Sequence, residues 1–190
     1  MQRYLLPAIF LGLLIAHLVL IWTVRLYPFI DLPDHLATAT IIRYYGEPGN
    51  RFAEFYSIGS FLLKPNVAHI LFCSSSLFPT VEFANRIYYS LYVILFPLSI
   101  LFIIWYLGGA AHYSLLSFFL IYNCNVSWGF SGYTLSIPIF LLTFLVMIAY
   151  IQRRSHVLAL VLGCLFVLVF LITPSTAISS IIHQLNKEER

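Results

Sequence analysis

Between residues 4 and 24 the chain carries no Asp, Glu, Lys or Arg. A helix rises 1.5 Å per residue, so a run of about 20 apolar residues covers a hydrocarbon core ~30 Å thick. No water in that core can serve a backbone N–H or C=O, so such a run must satisfy its own hydrogen bonds, and only a helix does so within one segment. This feature narrows the fold more than any other. A cleaved signal peptide is the competing explanation for an apolar amino-terminal run behind a basic start, here Met1-Gln2-Arg3. A signal core spans only about 7–15 residues and ends at a small-x-small site. Trp22-Thr23-Val24-Arg25 provides no such site, so the segment is expected to stay as an anchor.

Composition extends the conclusion to the whole chain. Hydrophobic residues make up 61% of the 190, aromatic residues 17% and charged residues 9%. Soluble domains carry roughly 25% charged residues, and a chain this apolar is expected to be an integral membrane protein. The net charge of +3 is scattered, without a basic run, so nucleic acid is not an expected partner. Cys73, Cys124 and Cys164 lie far apart, without metal-ligand spacing, and are expected to be small apolar fillers. His17 has no acidic partner within its run and is expected at a helix–helix contact.

The fold class predicted is an all-α integral membrane protein with about five transmembrane helices, at 4–24, 87–106, 113–126, 133–151 and 156–172, followed by a polar tail at 173–190. Gly108-Gly109 and the 128–132 stretch read as turns around the third crossing, which is short. Pro97 within the second is tolerable where neighbouring helices serve the freed carbonyl. Arg3 and Arg153-Arg154 set the orientation by the positive-inside rule: amino terminus cytoplasmic, and 25–86 a long extracytoplasmic loop. A sixth crossing at 66–78 has only 13 residues and three consecutive serines, so an amphipathic interfacial helix is expected there instead.

That loop concentrates the polar residues. Asp31 has the chemistry of a helix N-cap, Pro33 suits a first turn, and Asp34 meets the helix dipole favourably, with Gly46 as a stop. A 3.6-residue repeat places Asp31, Asp34, His35, Thr38, Ile42 and Tyr45 on one side, and Leu32, Leu36, Ala39 and the stem of Arg43 toward the other. Two roles fit the acidic end. The carboxylates cap a helix, or Asp34, with His35 or Asp31 beside it, is a general base or the ligand of a divalent cation. Spacing does not separate them, because both roles want the same residue type.

In order and spacing these phrases resemble the amino-terminal module of the polyprenyl-phosphate-dependent glycosyltransferases of the GT-C fold. The branch they are most similar to holds the protein O-mannosyltransferases and the lipid A aminoarabinose transferases. The residues carrying the resemblance are Pro33-Asp34-His35-Leu36-Ala37, the segment from Ile42 to Pro48, Lys64-Pro65-Asn66, and Val81-Glu82-Phe83-Ala84-Asn85-Arg86. It covers roughly residues 5 to 150. A related group of multi-pass bacterial membrane proteins of unassigned activity is similar through Asp31–His35 and through Trp128-Gly129-Phe130 with Tyr133. The chain departs from the family where His35 replaces the second acid of a pair and where residues 123–128 hold no acidic residue.

The resemblance implies transfer of a sugar from a polyprenyl-phosphate donor to an extracytoplasmic acceptor, at a bacterial inner or plasma membrane. It also implies that these 190 residues form the front portion of a longer protein. Asp34 would inherit the catalytic role, with His35 and Asp31 beside it, and Asp34 would hold a magnesium or manganese ion if one is used. Arg43, Arg51, Lys64 and Arg86 are the candidate phosphate contacts, against the ordinary role of membrane-flanking basic residues in reaching lipid headgroups. Membrane lipids and a partner membrane subunit are the other expected partners. A second function class stays open: a non-catalytic multi-pass protein acting as assembly subunit or lipid-binding scaffold. A transporter fits less well, since the crossings lack acidic residues.

Overall fold

The computed structural model describes residues 2–24, 27–58 and 66–172. The regular structure among them is helical: α1 (Gln2–Thr23), α2 (Leu32–Arg43), α3 (Phe52–Phe55), α4 (Val67–Ser74), α5 (Val81–Tyr106), a 3-10 helix (Ala111–Leu116), α6 (Ser117–Leu120), α7 (Cys124–Trp128), α8 (Ser131–Arg153) and α9 (His156–Ile172). Three described helices are long and apolar enough to cross a membrane, over Tyr4–Thr23, Val81–Tyr106 and Ser131–Arg153; α9 is apolar but shorter, at 17 residues. Large side chains such as Leu11, Phe102, Phe140 and Val167 stand exposed on these helices. An apolar surface of this extent belongs against lipid.

Helix α5 forms the centre. It begins at Val81, within the stretch expected to lie in the loop. The Thr80 hydroxyl caps it by accepting from the Phe83 N–H, and Glu82 in the first turn suits the helix dipole. Ala84, Asn85, Tyr88 and Tyr89 are already buried there. Helix α8 runs parallel to α5. At one end the hydroxyls of Tyr88 and Tyr89 reach Ser131, at 3.1 and 2.9 Å, and at the other Tyr106 donates to Gln152 at 2.7 Å. Helix α1 packs on α5, where the Trp22 indole N–H donates to the Ser90 hydroxyl at 3.1 Å, and α9 packs back along α8.

Residues 111–128, between the two parallel helices, hold three short pieces rather than one uninterrupted helix. Side chains serve the polar groups at the break. The Tyr92 hydroxyl donates to the Ile121 carbonyl at 2.9 Å, and the Asn123 side chain donates to Tyr92 and accepts from the N–H groups of Asn125 and Val126. His17 stacks on Phe118 and lies against Tyr122, which ties α1 to this segment. Close helix packing elsewhere uses small hydroxyl residues. Ser99, Thr134 and Thr143 are buried, and each returns its hydroxyl to a carbonyl three or four residues back.

Candidate functional site

The Ser131 end of α8 is roofed by α2 and α4. Helix α2 begins at Leu32 with Asp31 in the N-cap position and Pro33 in the first turn, and it turns Leu32, Leu36 and Ala39 inward. Asp31 makes no side-chain capping bond. Its backbone does the anchoring instead, through Asp31 N–H to the Trp128 carbonyl at 3.0 Å, next to Ile30 N–H to Ser127 at 3.2 Å. This pairing lays α2 on α7, and it requires Gly129, which has φ +84° and whose missing Cβ would sit 2.9 Å from the Leu32 nitrogen. The helix stops after Arg43 rather than at Gly46, with Tyr44 closing back on Thr40.

Under the roof lies a polar layer. Asn66, in the left-handed conformation at φ 59° and buried, joins three elements. Its side-chain oxygen accepts from the Gly132 N–H at 2.8 Å, so its NH₂ faces His35 Nε2 at 2.9 Å. An NH₂ can only donate, so His35 Nε2 is the acceptor, and the His35 proton sits on Nδ1 in the neutral ring. Burial lowers the His35 pKa, while the Asp31 and Asp34 carboxylates pull it back up. Next to it, edge-on at 6.2 Å between ring centroids, is His69 of α4. His69 is fully buried, its Nε2 2.9 Å from Asn85 Oδ1 and 3.4 Å from the Cys73 sulfur, with Nδ1 unpartnered. Burial drives its pKa down to about 4 despite the Asn85 hydrogen bond, so the ring is neutral near pH 7. Burial likewise pushes the Cys73 thiol up to about 12, which makes it inert as a nucleophile.

The residues singled out from sequence are distributed around this roof. Asp34 is exposed, and its carboxylate has no hydrogen-bond or ion-pair partner among the described residues. Asp31 and His35 are half-buried on the same short helix. Arg43 turns back on the protein and donates to the carbonyls of Phe78 and Pro79, at 2.7 and 3.2 Å, which ties the end of α2 to the turn before α5. Arg51 is exposed and pairs with Glu54 one turn on. Arg86 lies over the Trp22 ring at 5.8 Å with its Nε buried and unpartnered. Lys64 lies outside the described residues, as does the polar tail at 173–190. Among the described residues no three His, Cys, Asp or Glu side chains converge as a metal set.

Asn66, His69, Asn85 and Gly132, which build the polar layer, did not stand out in sequence as a group. The available signal was weak: a histidine and an asparagine set in otherwise apolar helical stretches, Val67–Ser74 and Val81–Tyr106. Their pairing spans 16 to 66 positions along the chain, beyond the reach of periodicity. No family model, no curated protein and no solved structure matches the chain.

Proposed function

We propose that the chain is the membrane module of a GT-C-like glycosyltransferase, which transfers a sugar from a polyprenyl-phosphate donor to an extracytoplasmic acceptor. The observation carrying this is the Asp34 carboxylate. It is exposed, without a hydrogen-bond or ion-pair partner among the described residues, at the first turn of a helix packed on α4 and α5 and bonded to α7. An exposed carboxylate at the first turn of such a helix is free to take up a proton from a hydroxyl brought within hydrogen-bond reach. Asp34 accepts the proton of the acceptor hydroxyl as that oxygen bonds to the anomeric carbon. The bond from that carbon to the donor phosphate oxygen breaks, and the polyprenyl phosphate leaves with the electron pair. His35 serves as a positioning partner, because its Nε2 is already used by Asn66. Arg43 and Arg51 direct donors to protein groups, so neither is free to meet the leaving phosphate without giving up a contact. Among the described residues no group of three His, Cys, Asp or Glu side chains converges around Asp34.

In this proposal α1, α5, the 111–128 segment, α8 and α9 make five crossings of a bacterial inner membrane, with the amino terminus and Arg153-Arg154 in the cytoplasm. The α2–α4 roof then faces outward, where donor lipid and acceptor meet. The test is Asp34→Asn in the full-length protein, assayed for sugar transfer from a polyprenyl-linked donor. Loss of turnover with normal membrane insertion is expected; parental turnover removes Asp34 from catalysis. Impermeant thiol labelling of Asp34→Cys in intact cells is expected from the outside, and labelling only after permeabilisation overturns the orientation. A second reading, a non-catalytic scaffold that docks a partner membrane subunit, is favoured by one observation: Arg43 and Arg51 both direct donors to groups within the chain.

A further inference from the structure

An apolar cavity of about 270 Å³ lies beside the site, between the end of α1, the 27–29 segment, α5 and residues 121–126. Its inner wall is buried (Tyr89, Tyr92, Val93 and Ile121), whereas Leu20, Val24 and Tyr122 at its edge are exposed, so it opens sideways between α1 and the broken segment. That side is where a bilayer lies against an apolar bundle. Val93 sits two turns further along α5 than Arg86, a descent of ~10 Å at 1.5 Å per residue.

Arg86 flanks the residues that line this cavity. It is one turn before Tyr89, it lies over Trp22 beside the lining residue Ile21, and its charge acts on the Tyr27 phenol, whose hydroxyl donates to the Ile21 carbonyl at 3.1 Å. The guanidinium has no hydrogen bond to any described protein group, and its Nε is buried without a partner. Among the described residues this arginine lacks an acceptor, and phosphate oxygens fit its planar fork. We propose that the crevice is a binding site for one phospholipid with an anionic head group, its phosphate on Arg86 and one acyl chain running down into the apolar cavity.

Selectivity in such a site comes from the head group. A chain leaving the bilayer for an apolar crevice exchanges one hydrocarbon surrounding for another and gains mainly packing. The occupant argued for is therefore a lipid anion rather than a helix of a partner, because a cation flanks the cavity wall at Trp22 and Tyr27 while the lining itself is apolar. The proposal does not rest on sugar transfer and holds equally for the scaffold reading.

The test uses the full chain reconstituted in phosphatidylcholine nanodiscs doped with a small fraction of phosphatidylglycerol carrying a photoactivatable diazirine on one acyl chain. A phosphatidylcholine with the same chain is the control. Labelling is expected to concentrate in peptides containing residues 20–29, 89–93 and 121–126, with the anionic probe about tenfold ahead, the ratio that one charge-assisted contact supports. Val93→Trp, which fills the cavity, is expected to abolish that labelling, and Arg86→Gln to bring the anionic probe down to the control. If Val93→Trp does not fold, Val126→Phe fills the cavity from the opposite wall. Equal labelling by the two probes, label spread evenly over the exposed faces of α1 and α9, or an unchanged pattern in a folded cavity-filling variant each overturns the proposal.

Discussion

Replacing Gly129 by Ala should undock α2 from the bundle without touching a polar side chain. An L-residue at φ +84° sits in the left-handed region, at about 1–2 kcal/mol. The new Cβ would meet the Leu32 nitrogen at 2.9 Å, the Asp31 nitrogen at 3.1 Å and the Asp31 carbonyl carbon at 3.3 Å. These are backbone atoms at a helix start and cannot swing aside as a side-chain tip would, so the α2 entry must retreat. Retreat breaks the bonds from Ile30 N–H to Ser127 and from Asp31 N–H to Trp128. Each contributes on the order of 1 kcal/mol. Strain and lost bonds together amount to roughly 3 kcal/mol against the docked state. Hydrogen–deuterium exchange of the Ile30 and Asp31 amides in nanodiscs reads this directly, and protection is expected to fall by about two orders of magnitude. Gly46→Ala is the control, because nothing lies within 4 Å of its added Cβ and its φ is not positive; protection should stay parental. Unchanged protection in Gly129→Ala, or an equal loss in Gly46→Ala, would refute the backbone docking described here.

Two further outcomes follow from the polar layer and the roof. His69 has its pKa lowered from 6.5 to about 4 and His35 is lowered in the same direction, so the undocked state binds more protons over that interval. Roof stability should therefore be level above about pH 6.5 and fall as pH drops toward 4, by an amount on the order of 3 kcal/mol from His69. Thermal unfolding in detergent across this range checks the sign, and stability rising toward acid would contradict it; His69→Gln should flatten the profile. Arg43→Ala should lower stability by about 1–3 kcal/mol, because the Phe78 and Pro79 carbonyls lose their donor, and Arg43→Lys should recover only part of it, having a point charge in place of a fork. An Arg43→Lys variant as stable as the parent would show that charge alone suffices.

What composition and apolar run length decided was the class of fold. Tyr4–Thr23, Val81–Tyr106 and Ser131–Arg153 are helices because a backbone in hydrocarbon must bond to itself, a local demand that each segment meets without its neighbours. The inward face of α2 was legible for a similar reason: Leu32, Leu36 and Ala39 recur at helical spacing and are the residues buried. Sequence also marked Asp31 as the start of that helix, but its side chain makes no cap; the contact it brings is its backbone N–H on the Trp128 carbonyl of α7.

Tertiary structure decided the rest. The segment at 113–126 is apolar enough to suggest one helix, yet it breaks into pieces, because Tyr92 and Asn123 supply the partners that an interrupted backbone needs. The fate of each arginine was equally hidden. Arg43, Arg51 and Arg86 have the same chemistry, and only packing turned the first toward two carbonyls, the second toward Glu54, and left the third without an acceptor among the described residues. The neutral histidines belong here too. His69 loses its proton affinity through burial beside Tyr88, despite the Asn85 hydrogen bond, contacts that arise between residues distant in sequence and that no local pattern encodes.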